Sequence, residues 1–184
     1  SAIVEAPSLV PTMTAKQNLE YAALYYGVKD TISVDEILSK VGLKDTGKKK
    51  VKNFSLGMKQ RLGIAVLLLN SPKLLLLDEP MNGLDPQGIA ELRELILDLN
   101  KQGITFVISS HILSELEKVA THWGFISHGH LIEEISSEDL IKKCVKSIDL
   151  RYKDEQLLLN TLPLIGVKRF ELLHNNVVRI YDAI

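Results

Sequence analysis

Leu74-Leu75-Leu76-Leu77 runs directly into Asp78-Glu79-Pro80. Four leucines between Ser71-Pro72 and Pro80 are too few for a helix. They read as a strand buried on both faces, the pattern of a parallel sheet covered by helices. The two acids at its end narrow the choice further, because open α/β sheets bind ligands beyond the C-terminal ends of their strands. In phosphate chemistry Asp78 would hold Mg²⁺ through water, since this ion prefers oxygen ligands and keeps part of its hydration shell. Glu79 would polarise an attacking water as a general base. Two acids surfacing at a strand end look the same without such a role, so the neighbouring segments have to decide.

Those segments alternate as an α/β core requires. Thr14 is placed to cap a helix through Tyr26 that Gly27 ends, and Ser33 opens a second helix that stops near Gly42. Ser55 caps a third helix over 56–69. After the leucine strand come a helix over 86–101 with Pro86 in its first turn, a second buried strand at Thr105–Ser109 and a helix over 112–120. Phe125-Ile126 and His130-Leu131-Ile132 read as short strands around Gly129. The order strand, helix, strand, helix predicts a parallel sheet. The divisions read as a domain over 1–135, with a helical subdomain at 14–70 and a core portion at 71–135, then a small α+β appendage over 136–184. In that appendage a helix, a strand, a helix and two strands are expected.

A formal net charge of −1 gives no global field toward nucleic acid or an anionic surface. One cysteine, Cys144, leaves no internal disulfide and fits a reducing compartment. No apolar run approaches the roughly 20 residues of a membrane-spanning helix. The lysines at 48, 49, 50 and 52 have no interleaved aromatics and read as a solvated loop. His128-Gly129-His130 lacks further ligands at metal spacing and reads as a turn.

Further motifs stand in order around the acids. Phe54-Ser55-Leu56-Gly57-Met58 opens the third helix, Asn82-Gly83-Leu84-Asp85 follows the acids, and Ser110-His111 follows the next strand. Together these resemble the ABC transporter ATPases: the signature motif with Ser55 and Gly57 retained, the Walker B pair Asp78-Glu79, the D-loop ending in Asp85, and the switch histidine His111. The resemblance covers about 1–135 and implies a P-loop NTPase-like parallel sheet with an ABC-type helical subdomain. It implies ATP and Mg²⁺ as the ligands, with Asp78 at the metal and Glu79 and His111 at the reacting phosphate. It also implies a head-to-tail dimer, in which Ser55, Gly57 and Met58 face the γ-phosphate held by a second ATPase subunit and Asp85 couples the two sites. A transmembrane permease would be the other partner, placing the chain in the cytoplasm at the inner face of the membrane, with no nucleic-acid partner. A helix N-terminus suits a phosphate physically, through free N–H groups and the helix dipole.

There are departures from the family pattern. Leu56 and Met58 replace a glycine and a glutamine of the signature. Glu5 stands where the family carries a glutamine, so it can accept hydrogen bonds or reach Mg²⁺ but has no donor. Glu5 and Ser-Leu-Gly-Met-Lys-Gln-Arg together look most like the bacterial branch of bacitracin and lantibiotic export or immunity ATPases. No glycine-rich loop ending in Gly-Lys-Ser/Thr occurs in the 184 residues; the one Gly-Lys pair, Gly47-Lys48, is followed by Lys49. Such a loop cradles the phosphates in these enzymes. The stretch is therefore expected to be a piece of a longer chain and not to hydrolyse ATP by itself, and to expose apolar sheet surface. Alternatives are a soluble ABC-type ATPase acting on ribosomes or DNA, whose relatives carry tandem cassettes or long coiled coils, and a non-catalytic interaction module.

Overall fold

A computed structural model describes residues 1–3, 7–28, 33–144 and 147–181. They fall into two compact units, Ser1–Val119 and Ala120–Ile184.

In the first unit, β1 (Ala2–Ile3), β2 (Leu74–Asp78) and β3 (Thr105–Ser109) form a parallel sheet in the order β1-β2-β3. Parallel neighbours need a crossover, and α4 (Pro86–Lys101) supplies it between β2 and β3. Before β2 lie α1 (Ala15–Tyr26), α2 (Val34–Lys40) and α3 (Leu56–Leu68), the helical stretch expected at 14–70. α1 begins with a reciprocal cap: the Gln17 N–H donates to Thr14 Oγ1 at 3.2 Å and the Thr14 N–H to Gln17 Oε1 at 3.0 Å. It ends at Gly27, whose φ of 65° is the left-handed geometry that glycine adopts without penalty.

Leu75 and Leu77 are buried with Leu62, Ile64, Ala65 and Leu68 of α3 and Leu92, Leu95, Ile96 and Leu99 of α4. The other face differs from expectation. Leu74 and Leu76 are 44% and 43% exposed and Val107 is 56% exposed. A strand's side chains alternate between faces, and α3 and α4 both pack on the Leu75 side. The leucine run is thus covered on one face among the described residues, not on both. The helix expected over 112–120 is likewise shorter, a single α-helical turn, α5 (Leu113–Leu116). Beyond it the Lys118 and Val119 N–H groups bond three residues back, to the Glu115 and Leu116 carbonyls, in turn geometry.

The second unit starts with an antiparallel hairpin, β4 (His122–Ser127) and β5 (His130–Ser136). Its two-residue loop, His128-Gly129, has φ of 48° and 78°, which matches the twist of the flanking strands. Because the hairpin belongs to this unit, the division falls at 119/120, upstream of the 135/136 boundary read from sequence. After it come α6 (Ser137–Lys143), β6 (Ile148–Arg151), α7 (Glu155–Leu164), β7 (Phe170–Leu173) and β8 (Val177–Ile180), with the last sheet ordered β6-β8-β7. One face of that sheet carries Val178 and Ile180 onto Leu162 of α7. The opposite face is a charged row: Arg179 donates two hydrogen bonds to Asp149, at 2.7 and 2.8 Å, and holds its carboxyl below the usual carboxylate range.

Candidate active site

The β2–β3 register pairs Asp78 with Ser109, and paired residues of a parallel ladder project to the same face. Ser109 Oγ donates its proton to Asp78 Oδ1. The chain then leaves the strand through Glu79 with φ of 45°, a left-handed conformation that costs an ordinary residue about 1 kcal/mol or more. Ser109 holds this bend: the Glu79 N–H donates to the Ser109 carbonyl at 3.1 Å and to Ser109 Oγ at 3.2 Å. The Asn82 N–H closes the turn on the Glu79 carbonyl at 3.1 Å.

The bend carries the Glu79 carboxylate to His111, with Oε2 and Nδ1 2.9 Å apart. With Glu79 ionised, Nδ1 is the donating nitrogen, because a carboxylate can only accept. The His111 ring is 66% exposed and the Glu79 side chain 30%, so the pair opens to solvent instead of forming a sealed ion pair. Just before the histidine, Ser110 Oγ accepts the Ile112 N–H at 3.1 Å and fixes the turn. Asp78, Glu79 and His111, read from sequence as one chemical group, are thus brought together.

The second group lies where α3 and α4 begin. Ser55 caps α3 by accepting the Met58 N–H at 3.2 Å, which leaves the N–H groups of Leu56 and Gly57 without intrahelical partners. The Lys49 ammonium lies 4.0 Å from Met58 Sδ and 5.8 Å from the centre of the Phe54 ring. Asp85 caps α4, its Oδ1 accepting the Gly88 N–H at 3.0 Å. The two starts are adjacent: a Cβ on Gly57 would lie 3.7 Å from Gly88 Cα, and one on Gly83 would lie 3.2 Å from Leu56 Cδ2. Ser55, Gly57 and Met58 therefore stand beside the turn that ends in Asp85, and no hydrogen bond among the described residues joins them to the Asp78–Glu79–His111 group. Glu5 lies outside the described residues.

The sequence reading missed the cap made by Asp85, although Asp followed by Pro is a helix-start signal. It also missed Ser109, which no motif marks and only the β2–β3 register brings to the acids. No set of three or more His, Cys, Asp or Glu side chains converges as a metal cage among the described residues. Asp78 instead offers Oδ2, with no partner among those residues, beside an engaged Oδ1.

The family model described as "ABC transporter" matches residues 1–82. Among curated proteins, the chain is 43% identical over 182 residues to a bacitracin transport ATP-binding protein of Bacillus licheniformis, covering 98% of this chain and 60% of that protein. It is 52% identical over 132 residues to a lantibiotic transport ATP-binding protein of Streptococcus pyogenes, covering 72% and 57%. The chain thus spans about three fifths of the length of these relatives. Among solved structures, cbiO1 of Clostridium perfringens, part of an ABC transporter complex, superposes with a TM-score of 0.68 at 23% identity, covering 89% of this chain and 62% of that one. An ATP-binding subunit of another ABC transporter gives 0.62 at 28% identity, covering 77% and 60%.

Proposed function

The chain belongs to the ABC transporter family of ATP-binding subunits, and from that premise we propose that it forms part of an ATP-hydrolysing subunit that drives transport of a peptide antibiotic or similar compound. The cargo class rests on the bacitracin and lantibiotic transport relatives, and export on the sequence resemblance to that branch. The observation that carries the catalytic reading is the Glu79 carboxylate, bent out of β2 by a left-handed residue and held 2.9 Å from His111 beside Asp78.

Each residue then has a physical task. Glu79 Oε1, with no partner among the described residues, takes the proton of the water that attacks the γ-phosphate of ATP. His111 fixes Oε2 and keeps the carboxylate aimed. The donor set fits Mg²⁺ in its usual nucleotide-bound mode, in which Asp78 Oδ2 would hold the ion through water. When bound, the ion would neutralise phosphate charge. The free N–H groups at Leu56 and Gly57 clasp the phosphate of a second ATPase subunit in a head-to-tail dimer. Nothing in this chain's own packing demands glycine at position 57, which agrees with space reserved for an outside group. The permease supplies the membrane passage; among the described residues no helix is long and apolar enough to cross a membrane. The subunit works in the cytoplasm against the inner membrane face. The 184 residues alone do not turn over ATP, because they contain no Gly-Lys-Ser/Thr loop to cradle its phosphates.

The test is Mg²⁺-dependent phosphate release by the assembled transporter. Glu79→Gln should lower turnover by roughly 100-fold or more, the range for loss of a general base, while ATP binding persists. Turnover at the parental rate in the Glu79→Gln transporter would sink the catalytic reading.

A further inference from the structure

The polar groups at the end of β2 converge on one hydroxyl. Ser109 Oγ accepts the Glu79 N–H at 3.2 Å and donates its own O–H to Asp78 Oδ1. The direction of this chain is fixed by chemistry. A backbone N–H can only donate, so the serine oxygen receives there, and its single proton is left for the carboxylate. A hydroxyl that both accepts and donates polarises along the chain, so each bond strengthens the other. Loss of this hydroxyl, as in alanine, would break both links at once.

We propose that Ser109 is a positioning residue that sets the metal-facing acid and the base-bearing bend as one unit. It occupies Asp78 Oδ1, so that Oδ2 is the oxygen presented to a divalent cation, and its hydroxyl reinforces the left-handed turn at Glu79. The hydroxyl has two partners on adjacent residues that face different parts of the same chemistry. A strand serine whose hydroxyl served only local stability would instead bond its own or a nearby backbone group. Residue 109 is exposed, so core packing does not fix its identity. The Glu79 N–H also keeps the Ser109 carbonyl at 3.1 Å. Removal of the hydroxyl therefore leaves one backbone tether, and the turn loosens without being abolished. The proposal rests on the ATPase reading of this site.

The experiment compares Ser109→Ala, Ser109→Thr and Glu79→Gln in the assembled transporter. Two measurements are made: phosphate release as a function of Mg²⁺, and Mn²⁺ binding in the presence of ATP, followed by electron paramagnetic resonance without turnover. Ser109→Ala should raise the half-saturating Mg²⁺ and the Mn²⁺ dissociation constant by roughly tenfold, as expected for the loss of a hydrogen bond to a charged group. It should also lower kcat more than it raises KM for ATP. Ser109→Thr keeps the hydroxyl and suits a strand, and should restore both readouts to within about twofold. Parental cation dependence and kcat in Ser109→Ala, with Glu79→Gln inactive, would overturn the role of Ser109 and leave the ATPase reading standing. A loss in Ser109→Ala that Ser109→Thr does not repair would also overturn it, since a generic strand defect would then be the cause. If Glu79→Gln is itself as active as the parent, the ATPase reading falls first.

Discussion

Two glycines of α3 show how one residue type can answer to different demands. At Gly63 a Cβ would lie 2.4 Å from Pro7 Cβ and 2.9 Å from Pro7 Cγ, closer than real side chains approach. Alanine gains up to about 1 kcal/mol of helix propensity over glycine, and overpacking costs about 1–3 kcal/mol. The clash wins, so Gly63→Ala should destabilise the chain by about 1 kcal/mol, read from urea unfolding; unchanged stability would show that Pro7 is free to move away. At Gly57 the same methyl meets only ordinary contact distances. Gly57→Ala should leave folding unchanged or improved by less than about 1 kcal/mol. In the assembled transporter the same variant should slow phosphate release, because on the proposed function the methyl would stand where a phosphate approaches.

At the scale of elements, α4 links the site to the core. Its buried side, Leu92, Leu95, Ile96 and Leu99, packs with the leucine strand, and its start is set by Asp85. Arg61 of α3 ties this helix to its neighbours, with an ion pair to Glu91 at 3.1 Å and hydrogen bonds to the Val41 and Gly42 carbonyls at 3.2 and 3.4 Å. Asp85 has two roles to separate, the cap that is visible and the coupling across a dimer that the family resemblance implies. Asp85→Ala removes the acceptor for the Gly88 N–H and should cost about 1 kcal/mol in denaturant unfolding. Asp85→Asn keeps an acceptor oxygen and should retain most of that stability. A fall in transporter turnover in the asparagine variant, without a fall in stability, would isolate the charge as the coupling element. Equal stability of the alanine variant and the parent would refute the cap.

At the scale of the whole molecule, the two units differ in how much apolar surface they bury. The first has a continuous core from α1 through α4, and the second centres on Leu162, Val178 and Ile180. The first also leaves Leu74, Leu76 and Val107 exposed on adjacent strands, with Leu76 and Val107 paired in register. Contiguous apolar surface on a sheet favours association. The 184-residue chain should therefore show concentration-dependent self-association in light scattering, weakened in the Leu76→Thr, Val107→Thr double variant. Threonine keeps strand propensity while lowering apolar area, so the fold should survive. Association undiminished by the double variant would place the sticky surface elsewhere.

The sequence by itself determined what depends on neighbours along the chain. Thr14, Gly27 and Ser55 marked helix ends, and the leucine run marked β2, because caps and strand patterns act over a few residues. The order of Ser55, Gly57, Asp78, Glu79 and His111 was enough to name a family. Which faces are covered was decided only in three dimensions. Four leucines read alike until α3 and α4 are seen to pack on one side, and the helix from 112 shrank to a turn that local propensity did not foresee. The assembly of the site was decided there too: Ser109 is 31 residues from Asp78, and only the parallel register of β2 and β3 brings its hydroxyl to the Asp78 carboxylate and the Glu79 N–H. Hydrogen bonds act over about 3 Å, so a partner that distant in sequence becomes legible only when the sheet forms.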